Sequence, residues 1–275
     1  MSIKLVVADI DMTLDSMMHP FSDMNRKAVE DLHSKGIYFG LASGRSIQQL
    51  KEKAKEFKLS FEPELLVGIN GQTYYDGINN EERSLFALDK SWVKEICEVL
   101  DSYGYEYHAY IDNYTLFRKD NIHFKAIIKK VYRDVRLASS ADDFLLGDNF
   151  YKFLFMFPNS IGYSIFEKRM KPLLDKHQND FKIVKTTASS YEIVHAKASK
   201  AYGLKLFCDN HNIDLKDVAA FGDADNDNEM IEAAGMGVCL KNGEKSTKEI
   251  ADYITDKPYD KDGFGDFVYK QILNE

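Results

Sequence analysis

The chain has 275 residues, a formal net charge of −8, and is 44% hydrophobic and 29% charged. That length holds one large or two modest domains with cores of their own, and the apolar fraction excludes a disordered or low-complexity chain. The negative balance excludes a general electrostatic draw to nucleic acid or anionic membrane, and no apolar run approaches the ~20 residues of a membrane span. The first nine residues lack the basic start and small-residue cleavage site of a secretory signal. Cys97, Cys208 and Cys239 are odd in number, widely spaced and without a CxxC pair, so they suit reduced core positions. A cytoplasmic globular protein is expected, and monomer and homo-oligomer are equally compatible with this composition.

Residues 3–8 form an almost wholly apolar run, the pattern of a parallel strand covered on both faces. A helix is expected from about Asp23, with Ala28, Val29 and Leu32 on one face and Gly36 as a stop. A strand at 38–42, a helix at 46–57 and a strand at 65–69 complete a βαβαβ run, whose right-handed crossovers imply a parallel sheet. The charge run 51–58 reads as a solvated helix face. From about residue 85 the segments grow richer in aromatics. Helices are expected around 92–103, 124–132 and 166–177, and strands at 105–111, 151–157, 181–186 and 191–194. Short turns between strands fit an α+β module with a mostly antiparallel sheet. The first texture then returns: a helix to about His211, a strand at 218–221, a helix near 229–234, and short strands at 237–240 and 253–254. The expected fold is α/β, a Rossmann-like parallel-sheet core of residues 1–84 and 190–275 interrupted by an α+β domain of residues 85–189.

Four motifs sit at strand ends or helix starts. Asp9-Ile10-Asp11-Met12-Thr13 follows the first strand, where ligands bind in open α/β sheets, and two such close carboxylates call for a cation or a shared proton. Hard oxygen ligands of this kind suit Mg²⁺. Ala42-Ser43-Gly44-Arg45 follows the second strand, a small hydroxyl-bearing turn that offers N–H groups and an Oγ to a phosphate. Ser199-Lys200 places a cation in the first turn of a helix, where the macrodipole favours anions, so the residue is either a solvated surface lysine or shares an anionic ligand with the helix N-terminus. Gly222-Asp223-Ala224-Asp225-Asn226-Asp227 runs from a strand into an acidic turn. It is not a calcium loop, since Asn228 stands where that loop needs Gly and Ala234 where it needs Glu. A divalent-cation site is the better reading if these acids face Asp9.

In this order the motifs are similar to those of the haloacid dehalogenase-like superfamily. More closely, the chain resembles its Cof-type phosphatases, which carry a large C2-type cap between the second and third motifs. Ile69-Asn70-Gly71 and Asp262-Gly263-Phe264 extend the resemblance over essentially the whole chain, and Met12 departs from it, standing where these phosphatases usually have Gly. The resemblance implies Mg²⁺-dependent hydrolysis of small phosphomonoesters, sugar phosphates or related metabolites, with a cap that selects the substrate. Asp9 would be the nucleophile that becomes an aspartyl phosphate, and Asp11 the general acid and base. Mg²⁺ would be held by Asp9, the Asp11 carbonyl and Asp223, with Asp227 acting from behind or through water. Ser43, Gly44, Lys200 and Asn226, with backbone near Ile10, would bind the phosphoryl oxygens, and Thr13 would orient the loop. The alternatives are a phosphomutase and, from another class, a phosphate-responsive signalling domain. Asp11 and the large insertion speak against the latter. The insert aromatics, Phe153, Phe155 and Phe157 among them, are expected in its core.

Overall fold

The computed structural model describes residues 2–119, 134–157, 160–185 and 190–274. It divides into two compact units, Met1–Leu85 with Ser199–Glu275, and Phe86–Ala198. The helix expected at 124–132 lies outside the described residues.

The first unit is built on a sheet whose strands, in chain order, are β1 (Leu5–Ala8), β2 (Tyr38–Ala42), β3 (Leu65–Gly68), β4 (Thr73–Asp76), β5 (Glu81–Ser84), β12 (Val218–Gly222), β13 (Met236–Cys239) and β14 (Tyr253–Ile254). Their spatial order is β14-β13-β12-β1-β2-β3-β4-β5. Strands from β14 to β3 are parallel, while β4 and β5 add an antiparallel edge that the sequence pattern does not mark. Helices α1 (Asp23–Ser34) and α2 (Ile47–Glu56) cover one face, and α5 (Lys200–His211) the other. This explains the unbroken apolar run of β1. Val6 and Ala8 pack with Val29 and Leu50, whereas Leu5 and Val7 pack with Leu204 and Phe207. Each fully buried Val or Leu contributes about 1.5–3 kcal/mol. Ser22 and Ser46 cap α1 and α2 through their side chains, and Gln49 completes a capping box on α2.

The second unit carries a sheet of order β10-β11-β9-β6-β7-β8, from β6 (His108–Ile111), β7 (Tyr114–Phe117), β8 (Val135–Leu137), β9 (Phe150–Met156), β10 (Phe181–Lys185) and β11 (Ser190–His195). All its pairings but β7–β8 are antiparallel. Residues 190–198 fall in this unit, because β11 pairs with both β9 and β10. One face packs on α3 (Lys90–Ser102) and α4 (Ser160–Lys176) through Phe153, Phe155, Phe166 and Ile193, with Phe157 at the margin. Helix α4 begins six residues before the expected helix, because Ile161 and Ile165 are solvent-exposed and break the apolar period there. Among the described residues, no helix is long and apolar enough to cross a membrane.

Candidate active site

Parallel pairing decides the site. β1 lies between β12 and β2, with Ala8 opposite both Phe221 and Leu41. The residues just past these strand ends, Asp9, Asp223 and Ser43, are therefore neighbours at the carboxyl edge of the sheet, at the point where successive strands lie on opposite sides of β1. Asp9 is buried, and its N–H donates to the Phe221 carbonyl at 2.9 Å. Lys200, the first residue of α5, is completely buried, and its Nζ lies 2.5 Å from both Asp9 Oδ1 and Asp227 Oδ1. The lysine is therefore not a solvated surface residue, and the anions that offset it in this helical turn are carboxylates of the chain itself.

The acidic turn is locally determined. Asp227 folds back so that its Oδ2 accepts the N–H groups of Asp223 (2.9 Å) and Ala224 (3.1 Å). A Cβ at Gly222 would collide with the Asp227 side chain, so only glycine ends β12 in this way. Thr13 is buried and donates through Oγ1 to Asp223 Oδ1 at 2.7 Å, tying the first acidic loop to the last. Ile10 is buried, and its carbonyl receives the N–H groups of Thr13, Leu14 and Asp15. Ser43 is buried at the end of β2, its N–H bound to Val67 and its carbonyl to the Asn70 N–H. Asn226 donates to Asn70 Oδ1 at 3.2 Å, and the vacant Cβ position of Gly44 lies 3.5 Å from the Asn70 amide nitrogen.

Carboxylate oxygens of Asp9, Asp223 and Asp227 lie within 4.8 Å of one another. Burial pushes the Asp9 carboxyl well above its ordinary range; Lys200 pulls it back, while Asp227, Asp223 and Asp11 push it further up. Asp223 is raised to about 7, first by burial and then by Asp227. Burial disfavours the Lys200 ammonium, yet Asp227 and Asp9 together outweigh it and hold the amine above its usual range. One buried cation thus faces three acids, and the remaining negative charge and hard oxygen donors fit a divalent cation. Asp11 is not in this group. Its side chain is 54% exposed and is gripped by Arg45, with Nη2–Oδ1 at 2.6 Å and Nε–Oδ2 at 3.2 Å.

The raised carboxyls make stability pH-dependent. A carboxyl whose folded value exceeds the unfolded ~3.9 costs nothing below that value and costs progressively more as pH rises toward the folded one. For Asp223 the window runs from about pH 4 to about 7. The metal-free protein should lose melting temperature from pH 5 to pH 8 relative to Asp223→Asn, and millimolar Mg²⁺ should shrink that difference. Parallel melting profiles for the two proteins would refute this.

Several contacts join residues to which sequence reasoning assigns no role. Arg45 was visible beside Ser43 and Gly44, but nothing local pairs it with Asp11. Lys53, expected on a solvated face, reaches the buried carboxylate of Asp15 at 2.5 Å. Asp15 also accepts the Phe21 N–H at 2.9 Å and so anchors the loop after Asp9. Met12 adopts a left-handed φ of 67°, held by its N–H to the Asp15 carbonyl (2.9 Å) and by Asn242 Nδ2 on its own carbonyl (2.8 Å). The conformation is the one its glycine counterpart would take freely.

The family profile of haloacid dehalogenase-like hydrolases matches residues 6–268. The 5-amino-6-(5-phospho-D-ribitylamino)uracil phosphatase YcsE of Bacillus subtilis is 28% identical over 257 residues, 92% of this chain and 90% of that protein. Among solved structures, a haloacid dehalogenase-like hydrolase from Bacteroides thetaiotaomicron superposes with a TM-score of 0.81 at 24% identity, covering 98% of this chain and 99% of the other. A sugar phosphatase of subclass IIB in the superfamily gives 0.79 at 21%, covering 98% and 99%.

Proposed function

The chain belongs to the haloacid dehalogenase-like hydrolase family, and from that premise we propose that it hydrolyses small phosphomonoesters in the cytoplasm with Mg²⁺ as its cation. The observation that carries this reading is the buried Lys200, held between Asp9 and Asp227 with Asp223 beside them. Asp9 attacks phosphorus, the ester P–O bond breaks, and an aspartyl phosphate forms. Asp11 protonates the departing alkoxide, then takes a proton from the water that attacks this intermediate, releasing inorganic phosphate and restoring Asp9. Ser43, Gly44, Lys200 and Asn226, with backbone near Ile10, receive the phosphoryl oxygens. Thr13 keeps the nucleophile's loop in place through Asp223. The cation would be held by Asp9, the Asp11 carbonyl and Asp223, with Asp227 acting from behind or through water, and supplies Lewis-acid neutralisation of phosphoryl charge.

The substrate class follows from chemistry. A general acid at Asp11 would serve poor alkoxide leaving groups, so sugar and polyol phosphates fit; YcsE by its name acts on such a phosphoribityl compound. The second unit is the proposed specificity module, because the core residues named above serve the phosphoryl group, its cation and the leaving oxygen, and none is assigned to the rest of the substrate. Release of inorganic phosphate from a panel of sugar phosphates, with Mg²⁺ and with EDTA, tests the reading. Metal-dependent release supports it, whereas isomerised sugar phosphate without free phosphate would indicate a mutase.

Arg45 orients Asp11 in this scheme. Arg45→Gln should lower kcat/KM about 10-fold for an alkyl phosphate and much less for p-nitrophenyl phosphate, whose leaving group needs little protonation. Equal losses on both substrates would remove Arg45 from this role.

A further inference from the structure

Ile69, Asn70 and Gly71 follow β3 with φ of 49°, 52° and 94°. Three consecutive left-handed residues, the first of them β-branched, persist only where surrounding contacts over-determine them. Here those contacts reach three separate parts of the site. The Ile69 N–H donates to the Arg45 carbonyl at 2.8 Å and the Asn70 N–H to the Ser43 carbonyl at 3.0 Å, which holds the turn after β2 from behind. The Asn70 side chain accepts from Asn226 at 3.2 Å, in the acidic turn after β12. Gly71 lies against the backbone of Ser199, the residue before Lys200, so closely that any Cβ there would collide with the Ser199 carbonyl. Gln72 closes the segment on itself, its N–H and Nε2 both bound to the Ile69 carbonyl at 3.2 and 3.3 Å.

We propose that Asn70 is a positioning residue of the phosphoryl site, holding Asn226 and the Ser43–Gly44 turn in register with Lys200; the proposal rests on the phosphatase reading. The residue type supports it. The backbone alone would accept glycine at position 70, since glycine adopts positive φ freely. Aspartate also tolerates that conformation and would offer Asn226 an acceptor. A carboxylate at 70, however, would add a further negative charge to a site that already carries Asp9, Asp223 and Asp227, where a phosphate dianion must bind. Asparagine combines the left-handed backbone, the acceptor for Asn226 and neutrality. Glycine lacks the acceptor and aspartate the neutrality.

Gly71→Ala would press on Ser199 and disturb folding together with function, so the test uses Asn70→Gly, which keeps the backbone conformation. Affinity for orthovanadate in the presence of Mg²⁺ and kcat/KM on an alkyl phosphate are measured for wild type, Asn70→Gly, Asn226→Ala and the double variant, with melting temperatures alongside. Asn70→Gly should weaken vanadate binding and lower kcat/KM by about 3- to 10-fold, the size of one lost polar contact. Its melting temperature should stay within about 4 °C of wild type. In the Asn226→Ala background the same change should cost less than about twofold, because glycine keeps the backbone N–H that holds the Ser43 carbonyl and the lost side chain acts on the site through Asn226. Unchanged vanadate affinity in Asn70→Gly, or a loss that adds in full to that of Asn226→Ala, overturns the proposal while leaving the phosphatase reading intact. A wild-type protein that neither binds vanadate nor releases phosphate overturns both.

Discussion

Lys200→Met should cost the protein both its activity and a large part of its stability. The methionine fills a similar volume but leaves Asp9 and Asp227, both buried, without the cation that lies 2.5 Å from each. Removing one partner of a buried ion pair costs about 3–5 kcal/mol, because the remaining charge is stranded in a poorly solvating interior. The loss should grow as pH rises from 5 to 8, since protonation relieves the stranded Asp9 carboxyl, already pushed up by burial, only at the lower pH. Mg²⁺ should restore part of the melting temperature without restoring turnover. Activity should fall about 10²–10³-fold, the usual cost of one preorganised donor to a phosphoryl or oxyanion group. Urea midpoints at pH 5 and pH 8, with and without Mg²⁺, measure the first effect and steady-state kinetics the second. A variant as stable as wild type at pH 8 would mean that the three-way contact is not an energetic unit.

Asp9→Asn should separate the two properties. It removes the proposed nucleophile, so turnover should fall by about 10⁴-fold or more, and no acid-stable, hydroxylamine-labile phosphoenzyme should form. Yet it also removes a carboxyl that burial and three neighbouring acids hold well above its ordinary range. That raised value means the ionised form is disfavoured in the folded protein, so its stability contribution is lost as pH climbs past the unfolded ~3.9. Asparagine carries no such penalty, and Lys200 keeps Asp227 as its partner. The metal-free variant should therefore be about 1 kcal/mol more stable than wild type at pH 8, with the gap closing toward pH 4. Two substitutions on either side of one contact would thus both abolish activity while moving stability in opposite directions. A fall in stability for Asp9→Asn at pH 8 would show that Asp9 gains more from Lys200 than burial costs it.

Much of this architecture is legible residue by residue. The apolar run of β1, the serine caps of α1 and α2 and the acidic turn at 223–227 are encoded by neighbours in the chain. Side-chain alternation, helical period and turn chemistry act over two to four residues. The parallel order of β1, β2 and β3 follows from right-handed crossovers. The antiparallel edge of β4 and β5 is less visible. Glu81-Glu82-Arg83-Ser84 is half or fully exposed and carries no apolar alternation, so it is a strand only because β4 offers it hydrogen-bonding partners.

The α/β class, the inserted second sheet and the residue types at each strand end are set by local pattern. Tertiary structure alone decided which of them meet. Lys200 reaches Asp9 across 191 positions, Thr13 reaches Asp223 across 210, and Asn226 reaches Asn70 across 156. Arg45 turns to Asp11, and Lys53 leaves its solvated face for Asp15. Local sequence sets the conformation of a segment, because its forces act between near neighbours. The pairing of distant charges depends on strand order and on the desolvation that burial imposes, and neither exists until the sheet is assembled.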